Sequence, residues 1–218
     1  FYLSDTVKLQ IETKNVQNIH FKLVEIDLNE AINNYFSRDG DGSLSLHYFL
    51  SNYSNVLKYK IKDIFEWDHE TNDKKDFNRH FEEIIIPDRI IDGRKGQYLL
   101  IASTNKILSY SIIIITDLML ITKNESGISH SWLVSASNGE IIKDAKITNI
   151  FTNYEKKVKI FTSYSNNDGK TKVEIPHNYN NQIVLASFEK DFTATNNFYL
   201  SYYFQNFDKI KKYTITDR

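Results

Sequence analysis

The chain has 218 residues, 27 basic and 28 acidic side chains, a formal charge of −1, 41% apolar residues and no cysteine. That length holds one large or two small domains with a real core. The even charge argues against a general nucleic-acid or polyanion binder, and the missing cysteine removes disulfides, cysteine-based zinc sites and thiol catalysis.

In chain order, Val7, Leu9 and Ile11 alternate with Lys8, Gln10 and Glu12, the pattern of a half-buried strand. A polar turn at 14–18 leads to a second strand at 19–26, with Ile19, Phe21 and Leu23 facing one way. The period then changes. Asp27 followed by Glu30 makes a capping-box arrangement, and Leu28, Ile32, Tyr35 and Phe36 fall on one helical face. Leu46, Phe49, Leu50, Tyr53 and Leu57 repeat at helical spacing. These spacings predict two short helices inserted after the second strand. Residues 58–72 leave strand and charged loop open. Residues 80–86 read as a strand, and 96–103 with 107–115 read as a hairpin across Thr104-Asn105-Lys106.

The stretch 112–140 organises the chain. An isoleucine run, 112–115, ends at Thr116-Asp117, and a new apolar alternation starts at once with Leu118 and Leu120. Two residues are too short for an independent linker, so two β-domains should be held close, end to end. The second half predicts strands at 118–122, 130–137, 145–152, 158–162, 172–175, 183–187 and 197–204. Asn138-Gly139 and Asn167-Asp168-Gly169 are among the turns between them. About seven short strands at this spacing predict a β-sandwich. Trp132, in register with Val134, is expected to anchor its core.

An order of features in the second half resembles the macroglobulin-like (MG) domains of the bacterial α2-macroglobulin family. Gly96-Gln97-Tyr98 opens a strand, and the next one ends in the isoleucine run and Thr116-Asp117-Leu118. Trp132 and Val134 follow, then Ser137-Asn138-Gly139-Glu140 with Asp144-Ala145-Lys146-Ile147, then Asn167-Asp168-Gly169-Lys170. Tyr213-Thr214-Ile215-Thr216-Asp217-Arg218 is similar to the strand that opens a further family segment. The resemblance covers most of 96–218. It implies an all-β chain of two tandem MG/immunoglobulin-like antiparallel sandwiches. Residues 1–116 would form the first, with a helical insertion at about 27–57; residues 117–207 would form the second; residues 208–218 would begin a following MG domain. It also implies scaffold domains of a large envelope protein, periplasmic or extracellular, that traps proteases. There a bait segment is cut and the molecule closes around the protease. Partners would be neighbouring MG domains, and proteases through other parts of the protein. A membrane would be reached only through an anchor elsewhere. The thioester of many members needs a cysteine, and no segment here reads as an exposed bait. The alternative is a pair of immunoglobulin-like or transthyretin-like binding domains from a surface adhesin or polysaccharide-uptake protein. A hydrolase has no supporting constellation.

Residue by residue, no catalytic, cofactor or metal site is expected. Asp39, Asp41 and Gly42 resemble a calcium loop, but Ser37 and Tyr48 stand at its first and twelfth positions, where oxygen-rich ligation needs carboxylates. His80 and Glu82 share a strand face, and Asp68-His69-Glu70 lies nearby, without the spacing that aims two imidazoles at one metal. His130 beside Trp132 reads as a structural histidine. Lys156, Lys157, Lys159 and the lysines of 209–212 read as solvated strand ends. Tyr199, Tyr202, Tyr203 and Phe204 suit either a sugar groove or packing, with packing the simpler reading. Asn52-Tyr53-Ser54 and Asn124-Glu125-Ser126 match the glycosylation pattern as an Asn-rich chain does by chance. No apolar run reaches membrane-spanning length. No charged-then-apolar leader opens the chain, and its first residues are strand-like, so a piece of a longer protein is expected.

Overall fold

The structure, a computed structural model, describes residues 6–38, 46–86, 94–153, 155, 157–179, 181–195 and 211–216. The first half forms a sandwich. One sheet has the order β3 (Lys60–Glu70), β2 (Asn18–Ile26), β5 (Gly96–Ser103), β6 (Leu108–Ile115), all antiparallel. Facing it, β1 (Lys8–Lys14) pairs antiparallel with β4 (His80–Ile85). Alternation puts Leu9 and Ile11 of β1, Ile19, Phe21 and Leu23 of β2, and Tyr98 and Leu100 of β5 into one core between the sheets.

The strand β5 and the isoleucine run of β6 do not alternate with polar residues because both faces of their sheet are covered. Leu100 and Ile113 face the first core, while Leu99, Ile101, Ile112 and Ile114 belong to a second. Part of that second core is helical. In α1 (Leu28–Arg38), Asp27 caps as the sequence predicts, its Oδ1 accepting from the Glu30 N–H at 2.7 Å. Gln97 Oε1 accepts from the Leu28 N–H at 2.9 Å, fastening the helix start to β5. The predicted second helix is two, α2 (Leu46–Leu50) and α3 (Tyr53–Leu57). Asn52 divides them: it is extended (φ −101°, ψ 108°) and its side chain caps α3 through the Ser54 N–H. Tyr110 Oη donates to the Leu50 carbonyl at 2.7 Å, tying the end of α2 to β6.

The second half is a smaller sandwich. One sheet has the order β11 (Lys170–Glu174), β8 (Ile128–Ser135), β7 (Leu118–Glu125). The other has the order β10 (Val158–Tyr164), β9 (Lys146–Thr152), β12 (Asn181–Phe188), β13 (Asp191–Ala194). Leu118, Leu133, Ala145, Ile147, Val184 and Ala186 fill the space between them. The outer face of the second of these sheets is apolar too. Its Ile150, Ile183, Leu185 and Phe192 join Val24, Ile26, Leu99 and the helices in the second core. The two sandwiches therefore share packed side chains as well as the short joint at 116–117.

Gly169 shows why the Asn-Asp-Gly turn has its sequence. It sits at φ +69°, and a Cβ there would lie 2.6 Å from the Leu133 carbonyl oxygen. Its own carbonyl accepts from the Leu133 N–H at 2.9 Å, so this turn is pressed onto β8.

Several expectations are corrected. Trp132 is not a core anchor: the inward residues of β8 are Ser129, Ser131, Leu133 and Ser135, and Trp132 faces outward, half-buried and stacked on His130. The alternation of β8 reads equally well in either phase, and the buried phase is the one carrying three serines. Residues 60–70 of the ambiguous stretch are a strand, one that reads as exposed because β3 is an edge. A strand at 191–194 was not foreseen. The expected strand at 197–204 lies outside the described residues, as does the calcium-like loop at Asp39 and Asp41. At the end of the chain, β14 (Lys211–Thr216) lies parallel to β1, from Leu9↔Lys211 to Lys14↔Thr216.

Candidate functional site at the junction of the sandwiches

Three short segments meet where the sandwiches join. Lys95 precedes β5, Thr116-Asp117 links β6 to β7, and Asp191 opens β13. Asp191 is buried, 3% exposed, and both of its carboxylate oxygens are engaged. Oδ1 accepts from the Thr116 hydroxyl at 2.5 Å and from the Phe192 N–H at 2.9 Å. Oδ2 accepts from the Asp117 N–H at 2.9 Å and meets Lys95 Nζ at 3.1 Å. Asp117 reaches the other way, into the second sandwich. It accepts from the Ser135 hydroxyl and the Ser137 N–H, each at 2.9 Å, and its backbone carbonyl accepts from the Ala136 N–H at 2.7 Å.

Burial pushes the Asp117 carboxyl up. The hydrogen bonds from Ser135 and Ser137 and the Lys95 charge outweigh it and hold the group below the usual carboxylate range. An ionised Asp117 sharing Lys95 with Asp191 is the arrangement of a clamp. A general acid needs a carboxyl kept protonated, and Asp117 is shifted the other way.

Beside the clamp runs a groove of about 640 Å³, lined in part by Glu25, Lys62, Arg94, Tyr98, Glu189 and Lys190. Lys62 pairs with Glu25 at 3.1 Å. Burial, and then the Glu25 charge, push the Tyr98 phenol up. Mixed charge on an open wall offers no positioned nucleophile and base.

The histidines and carboxylates singled out in the sequence form separate pairs. His80 Nε2 meets Asp76 Oδ1 at 2.8 Å, and His69 Nε2 meets Glu82 Oε2 at 3.2 Å. The bond from His80, with two from Asn78, holds the Asp76 carboxyl far below its ordinary range. Among the described residues no three such groups are placed to hold a metal ion. His130 and Trp132 stack at 5.9 Å. The amides of both glycosylation-pattern asparagines are in use: Asn52 caps α3, and Asn124 Nδ2 donates to Gln182 Oε1 at 2.9 Å. Lys157 pairs with Glu155 at 2.7 Å. Tyr199, Tyr202, Tyr203 and Phe204 lie outside the described residues. Lys95 and Asp191 were missed. Nothing local marks Lys95, while the alternation of 191–194 after the turn at Glu189-Lys190 was a readable signal for the strand that carries Asp191.

Two sandwiches, helices in a core drawn from both and a polar clamp at a two-residue joint make up the frame. The chain shares its fold with the NIE–MG1 portion of native α2-macroglobulin from Escherichia coli, at a TM-score of 0.58 and 13% identity, over 88% of this chain and 98% of that one. A longer E. coli portion, MG0–NIE–MG1, matches at a TM-score of 0.58 and 14% identity over 84% of this chain. A mutant α2-macroglobulin from Salmonella matches at 0.53 and 15% over 83%. The chain spans 55% of the three-domain E. coli structure and 10% of the Salmonella protein. No protein-family model and no curated protein sequence matches it. Among the described residues, no helix is long and apolar enough to cross a membrane.

Proposed function

We propose that this chain is a non-enzymatic structural unit of a large α2-macroglobulin-like protease trap of the cell envelope, periplasmic or extracellular. Its first sandwich would be the counterpart of NIE and its second the counterpart of MG1, with residues 208–218 leading toward the next MG domain. The observation that carries this reading is the match along nearly the whole NIE–MG1 portion of the E. coli protein. The shared core and the Asp191 clamp support it, because a cage wall needs domains that keep a fixed angle. Its partners are then the neighbouring MG domains, and proteases through other parts of the protein.

The test uses the full-length protein containing this chain and a broad-specificity endopeptidase. The trapped protease should stop cleaving large proteins yet still cleave a small peptide, while the 218-residue chain alone leaves it unaffected. Undiminished cleavage of large proteins by the mixture, or inhibition by the chain alone, contradicts the proposal.

A further inference from the structure

The interior of the second sandwich mixes apolar and polar side chains. Leu118, Leu133, Ile147 and Val184 pack in it, and Phe151, on the same face of β9 as Ile147, is buried as well. Farther along β8 the inward positions are Ser131 and Ser129, each 1% exposed. Ser129 is partnered: Gln182 Nε2 donates to its hydroxyl at 2.6 Å and to Asn149 Oδ1 at 2.8 Å. The hydroxyls of Ser131, Ser163 and Thr171 are not. Each is closed off from bulk solvent, and among the described residues none meets a hydrogen-bond partner.

These three come from three strands and face one space. Ser131 and Thr171 are opposite each other in the β8–β11 register, so their side chains share the inner face. Ser163 stands on β10 opposite Ile147, a residue of the sandwich core, which fixes Ser163 as inward too. The turn at 165–169 arches from one sheet to the other, closed by the Asn166 N–H on the Lys170 carbonyl at 3.0 Å. It brings Ser163 and Thr171 to the same end of the sandwich. Buried polar groups in native proteins are nearly always satisfied, so three inward hydroxyls with no protein partner point to a partner that is not protein.

We propose that Ser131, Ser163 and Thr171 hold ordered water that bridges the two sheets of the second sandwich. A buried water makes about three hydrogen bonds, and the three hydroxyls supply that number. Each hydroxyl can donate or accept, so one water can bond to all three, donating to two and accepting from the third. The water then joins β10 of one sheet to β8 and β11 of the other.

A high-resolution crystal structure of the 218-residue chain, with thermal melts of Thr171→Val and Ser131→Ala, tests this. Water density within bonding distance of at least two of the three hydroxyls is expected. Thr171→Val keeps the shape and removes one bond to that water, so its melting midpoint should fall by about 2–4 °C, and Ser131→Ala should shift in the same direction. A dry interior gives the opposite sign, because removing an unpartnered hydroxyl relieves a cost. Density showing the hydroxyls turned onto protein carbonyls with no water, or midpoints unchanged or raised in the variants, overturns the proposal.

Discussion

At the scale of single residues, Asp191 carries the most connections at the joint. Asp191→Ala removes the acceptor for the Thr116 hydroxyl and the Asp117 N–H and leaves Lys95 without its nearer carboxylate. The expected cost is about 2–4 kcal/mol, measured by denaturant unfolding. Asp117 sets an acid limit. Its carboxyl is held below the ordinary range, so the stability it contributes is complete above the unfolded value of about 3.9 and is lost as pH falls below that through the folded value. Asp117→Asn should therefore flatten the loss of stability on acidification below about pH 4; an unchanged acid profile would contradict this. The phase of β8 gives a third prediction. Leu133→Ala should cost about 2–5 kcal/mol, and Trp132→Ala about 1 kcal/mol or less, because Leu133 is the fully buried one. The sequence pointed to Trp132 because large aromatics in strand register usually anchor cores. Here the wall across from β8 carries Gln182, whose amide donates to Ser129 and to Asn149.

At the scale of elements, the change from period 2 to period 3.6 at Asp27 was plain, and so was the cap. The place of the helices was not. Their apolar faces could be read, but the surface that receives them is made of Leu99 and Ile101 from β5 and Ile150 and Ile183 from the second sandwich. Such long-range pairing leaves no mark in a local pattern. Only the non-alternating runs of β5 and β6 hinted that both faces of one sheet are covered. The strand β14 is the other surprise of this kind, since a parallel partner for β1 arrives from some two hundred residues away. Truncation after Phe207 should uncover the β1 edge and cause self-association, seen as a shift to larger species on size exclusion. A truncated chain that stays monomeric, with unchanged amide-exchange protection at 9–14, would contradict this.

At the scale of the whole molecule, two tandem antiparallel sandwiches with a helical insertion could be read from the sequence, because strand alternation and turn residues are local signals. How tightly the halves are bound could not. The two-residue joint implied closeness, whereas the strength of the union rests on a core drawn from both halves and on Lys95 and Asp191, which are far apart in sequence. Separating the sandwiches would expose Ile150, Ile183, Leu185 and Phe192, at about 1.5–3 kcal/mol for each fully buried side chain. That cost should make the chain unfold as one body. Differential scanning calorimetry of the 218-residue chain measures this directly. A single transition whose calorimetric and van't Hoff enthalpies agree is expected. Two resolved transitions, one for each sandwich, would contradict it.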